Sequence, residues 1–340
     1  MKKVAWIFGV LFVVGVVLGG SLFWDSYVIS PEKDASEKAL HIEEGMSVRE
    51  IAQLLKEHEL IQSPFFFSAY VKFADAQSGL QAGDYLLKPG MSYRSLVSTL
   101  SHAQVQEVQM TFPEGYTLSQ MGQTVMSMFP TITEANWQAV VSHPSELSVG
   151  LELVAGIPSG QSLEGYLFPD TYRFQADVQA KTIVETMLVT LSRRLAEAGI
   201  VVPTHLVMQN GMTLHEVLTL ASIVEREVRS PEDMAHVAGI FLTRMEIGMA
   251  LQADATVNYV TGKKDAAISL EDSKIDSPYN TYTHLGLPPG PISNPGINAI
   301  RAVLNPIDSE DLYYLTSEDG TVHYAQTFDQ HIANKYQYLK

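Results

Sequence analysis

Cysteine is absent from this chain of 340 residues. The chain therefore has no disulfide bond, no thiolate metal site, no cysteine nucleophile and no cysteine that could carry a lipid anchor. This composition fits an oxidising compartment, where free thiols are a liability.

Basic residues are scarce as well. The 22 Lys and Arg residues stand against 38 Asp and Glu residues, which gives a formal net charge of −16. Surfaces that bind nucleic acid need clustered cations to neutralise phosphates. We therefore expect no nucleic acid among the partners of this protein.

Several common catalytic motifs are also missing. No P-loop, GxGxxG or GxSxG sequence occurs. His215 and Glu216 resemble the start of a zinc-protease helix, but Thr219 stands where the second histidine ligand is needed, and Ser222 has no obvious histidine beside it. The sequence thus predicts no metal and no cofactor. Three later histidines, either structural or facing a substrate, are His284, His323 and His331.

One long apolar run stands at the N-terminus. Residues 1–3 carry two lysines and precede the charge-free segment Val4–Trp24, with Trp6 and Trp24 near its ends. As a helix this segment would span roughly 30 Å, the thickness of a bilayer core. We predict a transmembrane helix over 4–24 with residues 1–3 in the cytoplasm and everything after Asp25 outside it. A cleaved signal peptide is the alternative.

The remaining chain divides into a stalk at 25–40, a small module at 41–104 and a larger body at 105–340. A glycine, a large apolar residue and a Ser or Thr recur before amphipathic runs, and short alternating runs at 82–88 and 105–112 predict strands. The fold class is therefore α+β, and the module is either a spacer or a binding platform. The predicted helix N-caps are Ser47, Ser92 and Thr117.

The larger body is predicted to be mostly helical. A turn leads into a short strand or helix at 249–260, and a long Pro-rich loop follows at 276–296, which its prolines and aromatics favour as an ordered functional loop. A hairpin turning at Asp319-Gly320 precedes a closing helix. The other predicted helices cover 180–199, 213–229, 231–247 and 297–306.

Glu225 breaks the pattern of the helix at 213–229. Thr213 and Glu216 form a predicted capping box, and the apolar residues fall on one face about 120° wide, which includes Glu225. Glu216 and Glu227 point elsewhere and are interpreted as ordinary flanking carboxylates. A carboxyl on an apolar face should have a raised pKa, as a general acid requires. The alternative is that Glu225 pairs with an arginine or lies at the edge of the face.

Other polar groups could join Glu225 in a cleft. Two carboxylates flanking a sugar bond would suit a hydrolase, whereas one acid surrounded by amides and hydroxyls suits a reaction that activates no water. Aromatic and amide side chains together are typical of carbohydrate clefts, although the tyrosines could equally be core under the loop. The candidate residues are Glu164, Asp170, Gln252, Asp254, Tyr279, Asn280, Thr281 and Tyr282.

Four motifs, in this order, resemble the YceG-like endolytic murein transglycosylases: LEGYLFPDTYRF, ASIVEREV, FLTRMEIGMALQADATVNY and SPYNTYTHLGLPPGPISNPG. The resemblance covers nearly the whole chain and implies an inner-membrane-anchored lyase with a LysM-like module at 41–104. Such an enzyme cuts nascent peptidoglycan strands internally and leaves 1,6-anhydro-N-acetylmuramic acid ends. Membrane-bound peptidoglycan synthases are plausible partners.

The resemblance also assigns residues. Glu225 matches the family's catalytic glutamate, and the substrate cleft is expected to contain Gln252, Asp254, Tyr279, Asn280 and Thr281. Ala255 departs from the usual proline, and the module departs from a strict LysM pattern. Two alternatives stay open: a muramidase with Asp254 as the second carboxylate, and a catalytically idle membrane-tethered scaffold that binds glycan or the wall-synthesis machinery.

Overall fold

A computed structural model describes most of the chain outside the N-terminal segment. No helix within the described residues is long and apolar enough to cross a membrane. Apart from Gly20, the predicted span 4–24 lies outside the described residues, and so does most of the predicted stalk. The described residues are Gly20, 36–101, 107–203, 207–263 and 268–339.

The first of two compact units ends at Glu107. Its two strands pair antiparallel, with Lys38 opposite Leu87. Ser47 and Ser92 cap helices as predicted, because each hydroxyl accepts a hydrogen bond from a backbone N–H of the first turn. The predicted domain boundary, between 104 and 105, falls in a stretch outside the described residues. The elements are β1 (Lys38–Ile42), α1 (Val48–Glu57), α2 (Pro64–Phe73), β2 (Gly83–Leu87) and α3 (Tyr93–Leu100).

The second unit, Val108–Lys340, is the larger body. β3 pairs with β4, and β5 pairs antiparallel with β6 around the predicted hairpin turn. The elements are β3 (Glu107–Thr111), α4 (Leu118–Met128), α5 (Glu134–Val141), α6 (Leu151–Val154), β4 (Thr171–Gln175), α7 (Ala180–Glu197), α8 (Leu214–Glu227), α9 (Pro231–Glu246), α10 (Asp254–Thr261), α11 (Ile297–Leu304), β5 (Tyr313–Thr316), β6 (Val322–Ala325) and α12 (Phe328–Tyr338). The mixed α+β class is confirmed.

Helix α8 is the centre of this unit. Thr213 and Glu216 form the predicted capping box, so the chain enters the helix as expected. The sequence predicts that only one face of α8 is buried. The helix is buried on more than this face, because α9, α10 and α11 all pack against it. Thr219 and Ser222 are therefore buried along with the apolar residues. A helix surrounded in this way holds its C-terminal end, at Glu225–Glu227, in a fixed place.

Candidate active site

Glu225 lies in the last turn of α8, at the wall of a groove. Its Oε2 atom accepts a hydrogen bond of 2.9 Å from the backbone N–H of Gly296, at the end of the long Pro-rich loop. Burial raises the pKa of Glu225 to about 7, against the effect of that hydrogen bond and with a contribution from the charge of Glu114. The partner is a backbone N–H group and not an arginine, whereas the half-buried position at a cavity wall agrees with the other alternative, a place at the edge of the apolar face.

Glu114 is a neighbour that the sequence analysis missed. A Cβ atom built on Gly296 would lie 1.8 Å from Glu114 Oε1, so the Glu114 side chain lies directly against the backbone that binds Glu225. The next residue, Gly115, also lies against Glu225, because a Cβ atom built on Gly115 would lie 3.5 Å from Glu225 Cγ. The segment is held by a hydrogen bond from Gly115 N to Asn294 O. Two carboxyls therefore face the same glycine.

Glu227 is not the ordinary flanking carboxylate that the helical pattern predicted. Because α8 ends at this residue, its side chain turns between β5 and the start of α10. The Tyr314 hydroxyl donates a 2.9 Å hydrogen bond to Glu227 Oε2. Burial raises the pKa of Glu227 to about 7 and the charge of Asp254 adds to the rise, whereas Tyr314 and the N–H of Ala255 oppose it. Glu227 is thus a second carboxyl that holds a proton near neutral pH.

Three of the predicted cleft residues surround Glu227. Gln252, Asp254 and Tyr282 line the same cavity of about 650 Å³. The Tyr282 hydroxyl donates to Asp254 Oδ1. Gln252 has a left-handed backbone with φ of 53°, a conformation that is uncommon for a residue other than glycine and is often found at functional sites. Its N–H donates to Thr281 O over 3.1 Å, which fixes the turn before α10.

Asn280 and Thr281, which are expected in the cleft, are buried and form hydrogen bonds within the protein. Both are only 1% exposed. Asn280 Nδ2 donates to the backbone carbonyls of Ser273 and Ile275, and Thr281 Oγ1 accepts from the N–H of Ala253. Because these groups bond within the protein, they hold the loop against α10 and present Tyr282 to the cavity.

Glu164 lies under a third part of the groove. It is 6% exposed, and its carboxyl accepts hydrogen bonds from Leu118 N at 3.0 Å and Asn294 Nδ2 at 2.9 Å. Burial raises the pKa of Glu164 to about 8 despite these donors. Tyr279 donates to Gln161 Oε1 and lines neither the Glu225 cavity nor the Glu227 cavity.

Asp170, the other carboxylate beside Pro169, forms an ion pair with Arg194, and this partner holds the pKa of Asp170 below its usual value even though burial acts in the opposite direction. Asp170 therefore connects α7 to the residues directly before β4. Ser222 is also structural, because its Oγ accepts from Ile292 N and donates to Thr219 O.

The groove consists of three adjoining cavities. Glu225 and Glu114 line one of about 660 Å³, Glu227 lines this cavity and the one of about 650 Å³, and Glu164 lines the third, of about 710 Å³. Arg226 lines all three, so the cavities adjoin one another around this side chain, and we call them together the groove. Among the described residues no group of three or more His, Asp or Glu side chains could hold a metal ion.

The fold and the site together define a class of protein: an α+β protein with buried carboxyl groups along a polar groove. The YceG-like family model matches residues 40–337, and the chain belongs to this family. It is 32% identical over 341 residues to the endolytic murein transglycosylase of Bacillus subtilis, covering 95% of this chain and 91% of that protein.

Two further comparisons agree with membership of this family. The chain is 31% identical over 361 residues to the endolytic murein transglycosylase of Streptococcus pneumoniae strain D39, covering 97% of this chain but 64% of that longer protein. The crystal structure of a YceG-like protein from Listeria monocytogenes matches with a TM-score of 0.59 at 30% identity, covering 88% of this chain and 99% of the other.

Proposed function

We propose that this protein is an endolytic murein transglycosylase that cleaves the bond between N-acetylmuramic acid and N-acetylglucosamine inside peptidoglycan strands. The observation that carries the proposal is the Glu225 carboxyl, whose pKa is raised to about 7 at the wall of a polar groove. Relatives named for this activity align with nearly the whole chain.

The first step needs a proton on the leaving oxygen. Glu225, protonated near neutral pH, donates its proton to the glycosidic oxygen as the bond to C1 of the muramoyl sugar breaks. Positive charge develops on C1 and its ring oxygen, and the N-acetylglucosamine part leaves with a hydroxyl group. The Gly296 N–H then stabilises the carboxylate that Glu225 has become.

The second step returns the proton. The Glu225 carboxylate takes the proton of the muramoyl C6 hydroxyl, and that oxygen bonds to C1 of the same sugar to give the 1,6-anhydro end. Because the nucleophile is already tethered, a high effective molarity replaces an ordered water molecule. One carboxyl can therefore serve both steps, and no water is consumed.

The groove suits an extended strand better than a small ligand, because three cavities follow one another along it. We assign sugar contacts to Gln252, Asp254 and Tyr282, which line it, and to Glu164, which lines its third part. Tyr279 lines none of the three cavities but packs against the lining residue Tyr259, so we assign it a place beside the substrate through that ring. Asn280 and Thr281 support these contacts from behind.

We also propose a location for the enzyme at the cell membrane. The segment 4–24 would anchor it in the inner membrane with its N-terminus in the cytoplasm and its catalytic unit outside. Membrane peptidoglycan synthases would then be within reach. The order of strand, two helices and strand from β1 to β2 supports a LysM-like module.

The test compares Glu225→Gln with Glu216→Gln in the full-length protein. Glu216 lies on the same helix, is exposed, and as glutamine keeps the capping-box geometry. With un-crosslinked glycan as substrate, Glu225→Gln should fold and release no anhydro-ended product, whereas Glu216→Gln should match the wild type. Full activity of Glu225→Gln would refute the proposal.

Mass spectrometry of the wild-type products separates the alternatives. Products one water heavier than anhydro-ended fragments would identify a muramidase. Glycan binding by wild-type protein without any turnover would identify a scaffold.

A further inference from the structure

The Glu227 cavity has a cationic wall that the proposed chemistry does not use. Its lining contains two carboxyl groups, the protonated Glu227 at the end of α8 and Asp254 at the start of α10. Opposite elements, α9 and α12, contribute basic side chains to the same lining. The basic residues that line the cavity are Arg226, Arg244, His331 and Lys335.

Arg244 brings a buried charge to this wall. It is 5% exposed, and its Nε and Nη1 atoms donate to the backbone carbonyls of Leu312 and Leu251 over 2.7 and 2.6 Å. Its guanidinium carbon lies 5.3 Å from the centre of the Tyr313 ring. Within the described part of the chain Arg244 forms no ion pair, so its positive charge is held in place without a neutralising carboxylate in contact.

Helix α12 adds two more basic groups on one face. His331 and Lys335 are four residues apart, and both line the cavity. Burial lowers the pKa of His331, and Lys335 and Arg244 lower it further, because the basic groups lie close together. The buried Nδ1 of His331 has no hydrogen-bond partner among the described residues. A bound anion would therefore be attracted to Arg244 and Lys335, the charged basic groups of this wall.

The groove thus changes sign along its length. Among the Asp, Glu, His, Lys and Arg side chains, five acidic and two basic ones line the Glu225 cavity, whereas two acidic and four basic ones line the Glu227 cavity beside it. The basic patch stands out in a chain with a formal net charge of −16. The acidic residues that line the Glu225 cavity are Glu114, Glu225, Glu227, Asp233 and Glu318.

The substrate offers an anion at one kind of sugar only. N-acetylglucosamine is neutral, whereas N-acetylmuramic acid carries a lactyl group that ends in a carboxylate or continues into a peptide with carboxylates of its own. We propose that the Glu227 cavity is a subsite that binds the carboxylate-bearing substituent of a muramoyl residue, with Arg244 and Lys335 as its cations. This inference rests on the proposed function, and it explains how the enzyme would tell the two alternating sugars apart.

The test measures binding without turnover. Full-length protein carrying Glu225→Gln is titrated with three probes of equal length: a peptide-bearing strand, an amidase-treated strand with free lactyl carboxylates, and a neutral chito-oligosaccharide. Lys335→Gln is added to this background. Lys274→Gln is the matched control, because Lys274 is an exposed lysine that lines none of the three cavities.

We expect Lys335→Gln to weaken binding of a muramoyl-containing strand roughly three- to tenfold, the range of one charge-assisted contact that is partly exposed to water. Binding of the chito-oligosaccharide should not change. A loss confined to the peptide-bearing strand identifies the peptide carboxylates as ligand, and a loss confined to the treated strand identifies the lactyl carboxylate.

Unchanged binding of both muramoyl strands, or an equal loss for the neutral oligosaccharide, would overturn the inference. The proposed function is judged separately from the products of the wild-type enzyme. Failure to form anhydro ends would therefore be distinguishable from failure to select the anionic sugar.

Discussion

Replacing Glu164 by glutamine should make the catalytic unit more stable at alkaline pH. Burial raises the pKa of this carboxyl from 4.5 to about 8. The folded protein therefore holds a proton that the unfolded chain releases above about pH 4.5. The free energy of unfolding therefore falls as the pH rises from about 4.5 to about 8. Above that pH, this group changes the stability little.

The size of the effect follows from the same two pKa values. Between pH 5 and pH 8 the wild-type protein should lose about 3 kcal/mol of unfolding free energy through this one group, at about 1.4 kcal/mol per pKa unit. Glutamine resembles the protonated acid, and its carbonyl oxygen can still accept from Leu118 N and Asn294 Nδ2. The variant avoids the loss because it has no proton to release.

The assay is urea unfolding of wild type and Glu164→Gln at pH 5 and pH 8. The pH-dependent loss should be about 3 kcal/mol smaller in the variant. Glu225 and Glu227 also have raised pKa values, but they are present in both proteins and cancel in the comparison. Glu271→Gln, at an exposed glutamate, is the control and should lose as much as the wild type. Equal losses in Glu164→Gln and wild type would refute the assignment of a proton to Glu164.

Three further predictions concern α8 and its neighbours. Activity should fall about tenfold per pH unit above about pH 7, because Glu225 must be protonated to start the reaction; a flat profile to pH 9 on un-crosslinked glycan would contradict this. Gly239→Ala should cost about 2 to 3 kcal/mol in chemical unfolding, because its Cβ would lie 2.1 Å from Ile307 O, and a neutral result would show that the two elements can separate. Ser222→Ala should cost about 1 to 3 kcal/mol in the same assay, since it leaves the buried N–H of Ile292 without an acceptor, and a smaller cost would mean that water replaces the hydroxyl.

Local signals were enough to predict the frame of the site. The capping box at Thr213 and Glu216 defines where α8 begins, and the misplaced carboxyl at Glu225 has the raised pKa that its apolar surroundings predict. The N-caps Ser47, Ser92 and Thr117 were correct for the same reason, because the cap and its acceptor lie within three residues.

Features that depend on distant segments could not be predicted in this way. Glu227 was misjudged because a helical pattern cannot show that α8 ends there. It also cannot show that the distant Tyr314 hydroxyl donates a hydrogen bond to this carboxyl. Glu114 and Gly296 are 182 positions apart in the printed sequence, and only the folded loop places them in contact. Helix α2 and strands β1 and β4 were also missed. The two strands do alternate, but each is only five residues long, which is too short for a clear signal.

Asn294 has a consequence for how the enzyme is made. Its side-chain oxygen accepts from Leu167 N, and its amide donates to Tyr116 O and to Glu164. Segments separated by 127 and 178 residues must therefore meet before the hydrogen-bond network closes. A chain that has emerged only as far as α8 already contains Glu225 but not the loop that orients it. The protein should consequently acquire its cutting activity late in synthesis, after residue 296 has joined the fold, and shorter fragments that end before this loop should leave the wall intact.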